Sequence, residues 1–90
     1  MSEVSRKVQI LNRRGLHARA SARFVTLASG LPAQITVSKD GSSVTGTSIM
    51  GLMMLGAAMG DSIVIAASGD GHVDALDQLV ALVESKFGED

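Results

Sequence analysis

The chain has 90 residues, enough for one domain with one modest core, since a chain of this size buries roughly 60% of its unfolded surface. Hydrophobic content of 46% argues against disorder, and the absence of cysteine removes disulfides and thiolate metal sites. The net charge of −1 conceals a split: residues 1–45 carry seven basic and two acidic side chains, residues 46–90 one basic and seven acidic, which suits the first half to an anionic ligand or an acidic partner.

Residues 1–7 are polar and lack the apolar core of a signal peptide, so a soluble cytoplasmic chain is expected. Residues 4–11 read as a first strand: Val4, Val8 and Ile10 share one parity, which Arg6 interrupts. Residues 12–15 form a polar turn, with Gly15 free to take a positive φ. A helix follows over Ala18–Ser29, burying Ala20, Phe24, Leu27 and Ala28 on one face. Gly30 is placed to end it as the C′ residue and Pro32 to stop it. His17 therefore lies at the helix N-terminus, at or beside the N-cap.

Residues 33–39 read as a second strand, Asp40-Gly41 as a primed hairpin turn, and Ser42–Thr45 as a short edge strand. Thr47 or Ser48 caps a short helix over Ile49–Met54. Residues 62–67 form a fourth strand with Ile63 and Ile65 facing in. Asp70 is a candidate N-cap for a last helix over residues 73–87, whose inner face would be Val73, Leu76, Val80, Val83 and Phe87, with Gly88 ending it. The order β-α-β-β-α-β-α, in a single domain spanning residues 1–90, predicts an α+β fold with helices on one face of an antiparallel or mixed sheet. Connection lengths alone leave the strand order open. Residues 49–59 are nearly all apolar or glycine, but this run is 11 residues long, and a membrane span needs about 20. No membrane insertion is expected.

His17 is the residue type and position that suits a nucleophile. A neutral imidazole has one free lone pair near neutral pH. A helix N-terminus offers unpaired N–H groups and a positive dipole to an anion held there, worth about 0.3–1 kcal/mol when exposed and up to ~2 when partly buried. Arg19, two residues on, can reach the same anion with its donor fork. The plainer alternative is a polar capping histidine. A metal site is disfavoured, because His17 and His72 are the only histidines and neither has a second ligand three or four residues away. Nucleic acid is disfavoured too: Phe24 and Phe87 are the only aromatic residues, so base-stacking platforms are missing.

Ser48 reads first as a helix cap worth about 1 kcal/mol. Ile49, Met50, Met53 and Met54 cannot all point inward from so short a helix. Some are expected in the core and others on a surface, where methionine's flexibility suits it to several partners. The alternative is that Leu52 and Leu55 form the core while the methionines fill gaps. His72 and the acidic side chains Asp74, Asp77 and Glu84 read as solvated.

Gly15-Leu16-His17-Ala18-Arg19 resembles the active-site motif of HPr, the histidine-containing phosphocarrier of the bacterial phosphoenolpyruvate-dependent phosphotransferase system. A second block, residues 48–56, resembles the regulatory-serine segment of the same family, and the two lie in register over nearly the whole chain. The resemblance implies an open-faced β-sandwich of four antiparallel strands and three helices. It implies that His17 accepts a phosphoryl group on Nδ1 from enzyme I and donates it to an enzyme IIA-type acceptor, with Arg19 assisting and no cofactor required. It further implies that Ser48 is a site for an HPr kinase/phosphorylase, that Arg23, Ile49, Met50, Met53 and Met54 meet partners, and that the carrier is a monomer. The family usually has proline after that arginine, and this chain has Ala20. The variant resembles nitrogen-related, NPr-like carriers. A rival reading keeps the fold but makes it a regulatory binding module switched at Ser48.

Overall fold

A computed structural model describes residues 2–89. The elements run β1 (Glu3–Gln9), α1 (Ala18–Ser29), β2 (Gln34–Lys39), β3 (Ser42–Thr45), α2 (Ile49–Met54), β4 (Ser62–Ser68) and α3 (His72–Glu84), followed by a 3-10 turn over Lys86–Gly88. The strands form one antiparallel sheet in the order β1-β4-β2-β3. The last strand is thus inserted between the first two, and only β2 and β3 form a hairpin. Asp40 and Gly41 both take positive φ (52° and 86°) between the paired residues Lys39 and Ser42, as a primed turn requires.

One face of the sheet is the floor of the core. Val8, Ile35, Val37, Ile63, Ile65 and Ala67 are buried there, while their neighbours Ser5, Lys7, Thr36 and Ser38 face the opposite way, as alternation in a half-covered antiparallel sheet demands. α3 packs on β1 and β4, and α1 packs on α2 and α3. Arg6 shares the parity of Val4 and Val8 without entering the core. Its guanidinium donates to Asp77 on α3 at 3.2 Å, with both side chains more than half exposed. A long stem lets the charge leave the apolar layer at its margin.

Several sequence expectations shift. Ile10 lies beyond β1 but keeps sheet-like bonds, donating to Asp61 O and accepting from Gly60 N–H at 2.8 Å each. Gly30 ends α1 with φ −86°, so it is not the left-handed C′ residue expected; its N–H reaches Leu27 O within an ordinary turn. Asp70 does not cap α3. The cap position is Gly71, at φ 66° and with no side-chain bond. Val73 is 54% exposed and is not part of the inner face of α3, which is made by Ala75, Leu76, Leu79, Val80 and Val83. Residues 85–87 are not helical. Phe87 is fully buried, yet it reaches the core from a turn at φ 56°. Gly56 and Gly60 both take positive φ with open space beside them. Among the described residues, no helix is long and apolar enough to cross a membrane.

The ring of Phe24 joins α1 to the sheet. It is fully buried, and a side chain placed at Gly46 would meet both it and Ile35 of β2. Phe24→Ala should destabilise the domain by about 3–5 kcal/mol, the cost of a large core cavity, read as a lowered urea midpoint with an unchanged slope.

Candidate functional site

The loop between β1 and α1 is fixed by backbone geometry that only glycine allows. Gly15 has φ 63°, and a Cβ there would collide with the carbonyl oxygen of Ala57. The turn is closed by Gly15 N–H to Asn12 O (3.2 Å) and by Asn12 Nδ2–H to Gly15 O (2.8 Å). Leu16 N–H then donates to Ala57 O at 3.0 Å, which ties this loop to the segment after α2. Ser21 is fully buried, with its hydroxyl donating to Leu16 O at 3.1 Å.

His17 comes out of this turn as the N-cap of α1, with extended backbone (φ −73°, ψ −179°). Its carbonyl accepts the N–H of Ser21, and its ring Nδ1 accepts the N–H of Arg19 at 3.2 Å. An imidazole nitrogen thus does the capping that a serine or aspartate oxygen usually does. Because Nδ1 accepts, it carries no proton, and the ring proton belongs on Nε2. Nε2 faces the carboxylate of Glu89, at 2.9 Å from Oε2 and 3.2 Å from Oε1. Both side chains are more than four-fifths covered.

Glu89 reaches His17 through a left-handed turn. Lys86, Phe87 and Gly88 have φ of 61°, 56° and 75° in succession. The buried Phe87 ring anchors the turn, and Arg23 Nη1 donates to Phe87 O at 2.6 Å. Asn12, itself fully buried, donates from Nδ2 to Glu89 Oε1 at 3.3 Å, while its Oδ1 has no partner among the described residues. These contacts hold the Glu89 carboxyl below the usual range: the His17 hydrogen bond is the largest cause, partial burial opposes it, and Asn12 and the charge of Arg19 add to it.

Arg13, Arg14, Arg19 and Arg23 line an open depression of about 420 Å³ with Gly88 and Glu89, the residue whose carboxylate holds the imidazole. The guanidinium groups of Arg13, Arg14 and Arg19 make no hydrogen bond or ion pair among the described residues. The structure therefore brings His17, Arg19 and Arg23 together. Arg23 is also tied to the chain end, which sequence reasoning did not foresee. Sequence reasoning likewise missed Glu89 as the partner of His17 and Asn12 as the partner of Glu89, because contacts across 72 and 77 residues leave no local signal.

Ser48, not Thr47, caps α2. Its Oγ accepts the N–H of Gly51 at 2.9 Å, while the Thr47 hydroxyl pairs with that of Thr45. Ile49, Met50, Met53 and Met54 are all exposed, at 40%, 69%, 41% and 79%. None of the four is core, a role α2 leaves to Leu52 with Leu55 at its end. No cluster of three potential metal ligands occurs among the described residues.

Residues 4–85 match the family model described as the PTS HPr component phosphorylation site. This chain belongs to the HPr family. The phosphocarrier protein HPr of Cupriavidus necator is 41% identical over 96% of this chain and 97% of its own. A phosphocarrier protein NPr of Shewanella violacea is 39% identical over 99% and 98%. The HPr crystal structure from Thermoanaerobacter tengcongensis superposes with a TM-score of 0.89 at 47% identity, covering 100% of this chain and 99% of that one. The four-stranded open sheet with three helices expected of an HPr is the fold observed. Ala20, where the family usually has proline, lies fully buried in an unbroken first turn.

The pH response of this HPr follows from Glu89. A carboxyl held lower in the folded chain than in the unfolded one favours folding when ionised. That contribution is fully present above the ordinary value of 4.5 and is lost as pH falls through the lower folded value. A carbon-detected NMR titration should place the Glu89 side-chain midpoint below 4.5, with the His17 ring signals changing in step.

Proposed function

We propose that His17 is the phosphoryl-carrying residue. It accepts the group on Nδ1 from phosphoenolpyruvate-charged enzyme I and passes it to an enzyme IIA-type acceptor. The observation that carries this reading is the unprotonated Nδ1 at the N-terminus of α1, in a site whose Glu89 also lines a depression with Arg13, Arg14 and Arg19, guanidinium groups with no hydrogen-bond or ion-pair partner among the described residues. Phosphoryl transfer needs chiefly positioning and charge stabilisation, and both are in place. When the Nδ1 lone pair bonds to phosphorus, the donor's bond to phosphorus breaks and its electron pair leaves with the donor. The Arg19 N–H released from Nδ1 turns to a phosphoryl oxygen, and the Arg19 guanidinium neutralises the arriving charge. The reading takes a single copy of the chain as the working unit. The reading gives the chain no cofactor of its own and places it in the cytoplasm with enzyme I.

The exposed apolar side chains of α2 form the docking surface in this reading, with the arginines at its basic margin. Ser48 is the regulatory position, modified by an HPr kinase/phosphorylase. A phosphate there adds about −1.5 to −2 charges at a helix N-terminus, where negative charge is tolerated. Its effect falls on docking and not on folding.

Incubation with phosphoenolpyruvate, magnesium and enzyme I should add one acid-labile phosphoryl group by intact mass, absent from His17→Ala. No adduct, with an enzyme I active on another carrier, would leave the Ser48-switched module as the better reading. Ser48→Asp should keep the thermal midpoint within a few degrees while slowing acceptance from enzyme I severalfold. Unfolding of that variant would contradict the assignment.

A further inference from the structure

The geometry points to Glu89 as a positioning residue for His17: its carboxylate fixes the ring proton on Nε2 and so keeps Nδ1 free to take a phosphoryl group. The inference rests on the phosphocarrier reading for its purpose, but not for its test. Three independent features support it.

The first is the contact itself. Nε2 lies 2.9 Å from Oε2 on one edge of the ring, while Nδ1 accepts from Arg19 N–H on the other. Each nitrogen's partner dictates the same tautomer. A carboxylate holding one imidazole nitrogen so that the other can react is the arrangement that orients histidine in hydrolase triads. The second is the backbone that delivers the carboxylate. Lys86 and Phe87 are both left-handed and neither is glycine, a costly pair of conformations in succession. The anchor of Phe87 and the Arg23 bond to its carbonyl hold this turn in place, and its outcome is Glu89 over the ring. The third is Asn12, which is fully buried and donates both to the turn that sets His17 and to Glu89 Oε1. One side chain thereby fixes nucleophile and orienter relative to each other.

The role is sharpest in the transfer step. As Nδ1 bonds to phosphorus, the ring with its proton still on Nε2 becomes cationic. Glu89 lies where that charge appears, and its lone pairs point at Nε2, away from the entering phosphoryl oxygens. The proton stays between Nε2 and Oε2 throughout. Without an acceptor at Nε2 the ring is free to turn, and Nδ1 loses its fixed aim.

Asn12 also makes the isosteric change informative. It donates to Oε1, so in Glu89→Gln it retains the amide oxygen, and the amide NH2 takes the place of Oε2. The acceptor 2.9 Å from Nε2 is then lost, and only the amide oxygen, 3.2 Å from Nε2 and shared with Asn12, is left to take the ring N–H, so the hold on the ring is weakened.

Potassium phosphoramidate tests this without a partner protein. The Nδ1–P bond forms as the donor's N–P bond breaks and ammonia leaves with the electron pair. Full-length protein, Glu89→Ala and Glu89→Gln are compared by the rate of His17 phosphorylation and by NMR of the ring nitrogens and the Nε2-bound proton, with circular dichroism to confirm folding. In the unaltered protein that proton should be visible and slow to exchange at neutral pH. Glu89→Ala should lose the signal and react about tenfold more slowly, the factor expected for one lost oriented interaction, and Glu89→Gln should fall between alanine and the unaltered protein. A merely structural role for Glu89 would leave the ring signals and rate of the isosteric variant equal to those of the unaltered protein. Equal ring signals or equal rates in Glu89→Ala and the unaltered protein would overturn the inference, as would a Glu89→Gln variant that matches the unaltered protein. If enzyme I fails to phosphorylate a protein that phosphoramidate modifies with this Glu89 dependence, the carrier reading falls and the positioning role stands.

Discussion

The site depends on the insertion of β4 between β1 and β2. β4 runs antiparallel to β1, so it starts where β1 ends and leaves the sheet at the far side. α3 then has to bring the chain back. Its 13 residues at about 1.5 Å each and the seven of β4 at about 3.3 Å each both span roughly 20 Å. The helix therefore returns the chain to the end of the sheet at which α1 begins. Glu89 meets His17 because two lengths match across an antiparallel pair, and the three-residue turn after α3 makes the final correction.

That turn shows which local effect wins. Two non-glycine residues in left-handed backbone cost about 1–2 kcal/mol each. Burying the Phe87 side chain contributes about 1.5–3 kcal/mol, and a hydrogen bond from a charged guanidinium to its carbonyl adds on the order of 1 kcal/mol. The two sides are similar in size, so the turn persists without a large surplus. It depends on the buried aromatic anchor of Phe87.

The sequence revealed what is local. The strands of one parity, the paired positive-φ turn at Asp40-Gly41, the Ser48 cap and the placing of His17 at the start of α1 are each written within a few residues. The strand order is not, because it is decided by which apolar strand best fills the centre of the sheet. β4 has buried positions on one face and small Val64 and Ala66 on the other, which lets it take partners on both edges. The end of α3 was misjudged for a related reason. Phe87 continues the helical spacing of Val80 and Val83 and is buried as that pattern requires, but the chain achieves the burial by turning. Hydrophobic periodicity reports which side chains are inside, not the backbone that puts them there. Glu89 entered the sequence reading only as one more acidic residue of the second half.

In the proposed carrier reading one atom serves as helix cap and nucleophile, which bears on how a carrier can run in both directions. In the free state Nδ1 satisfies the Arg19 N–H, a capping interaction worth about 1 kcal/mol. A phosphoryl group on that nitrogen takes the cap away, but brings oxygens that accept the same N–H and meet the helix dipole, worth about 0.3–2 kcal/mol. Loss and gain are of one size. The helix terminus therefore favours neither state by much, unlike a serine cap beside a separate nucleophile, which would add the dipole's attraction for phosphate with nothing given up. A residue that must accept from one partner and yield to the next is best served by a cradle that is nearly as well satisfied empty as full, and a capping histidine supplies it with the nucleophile itself.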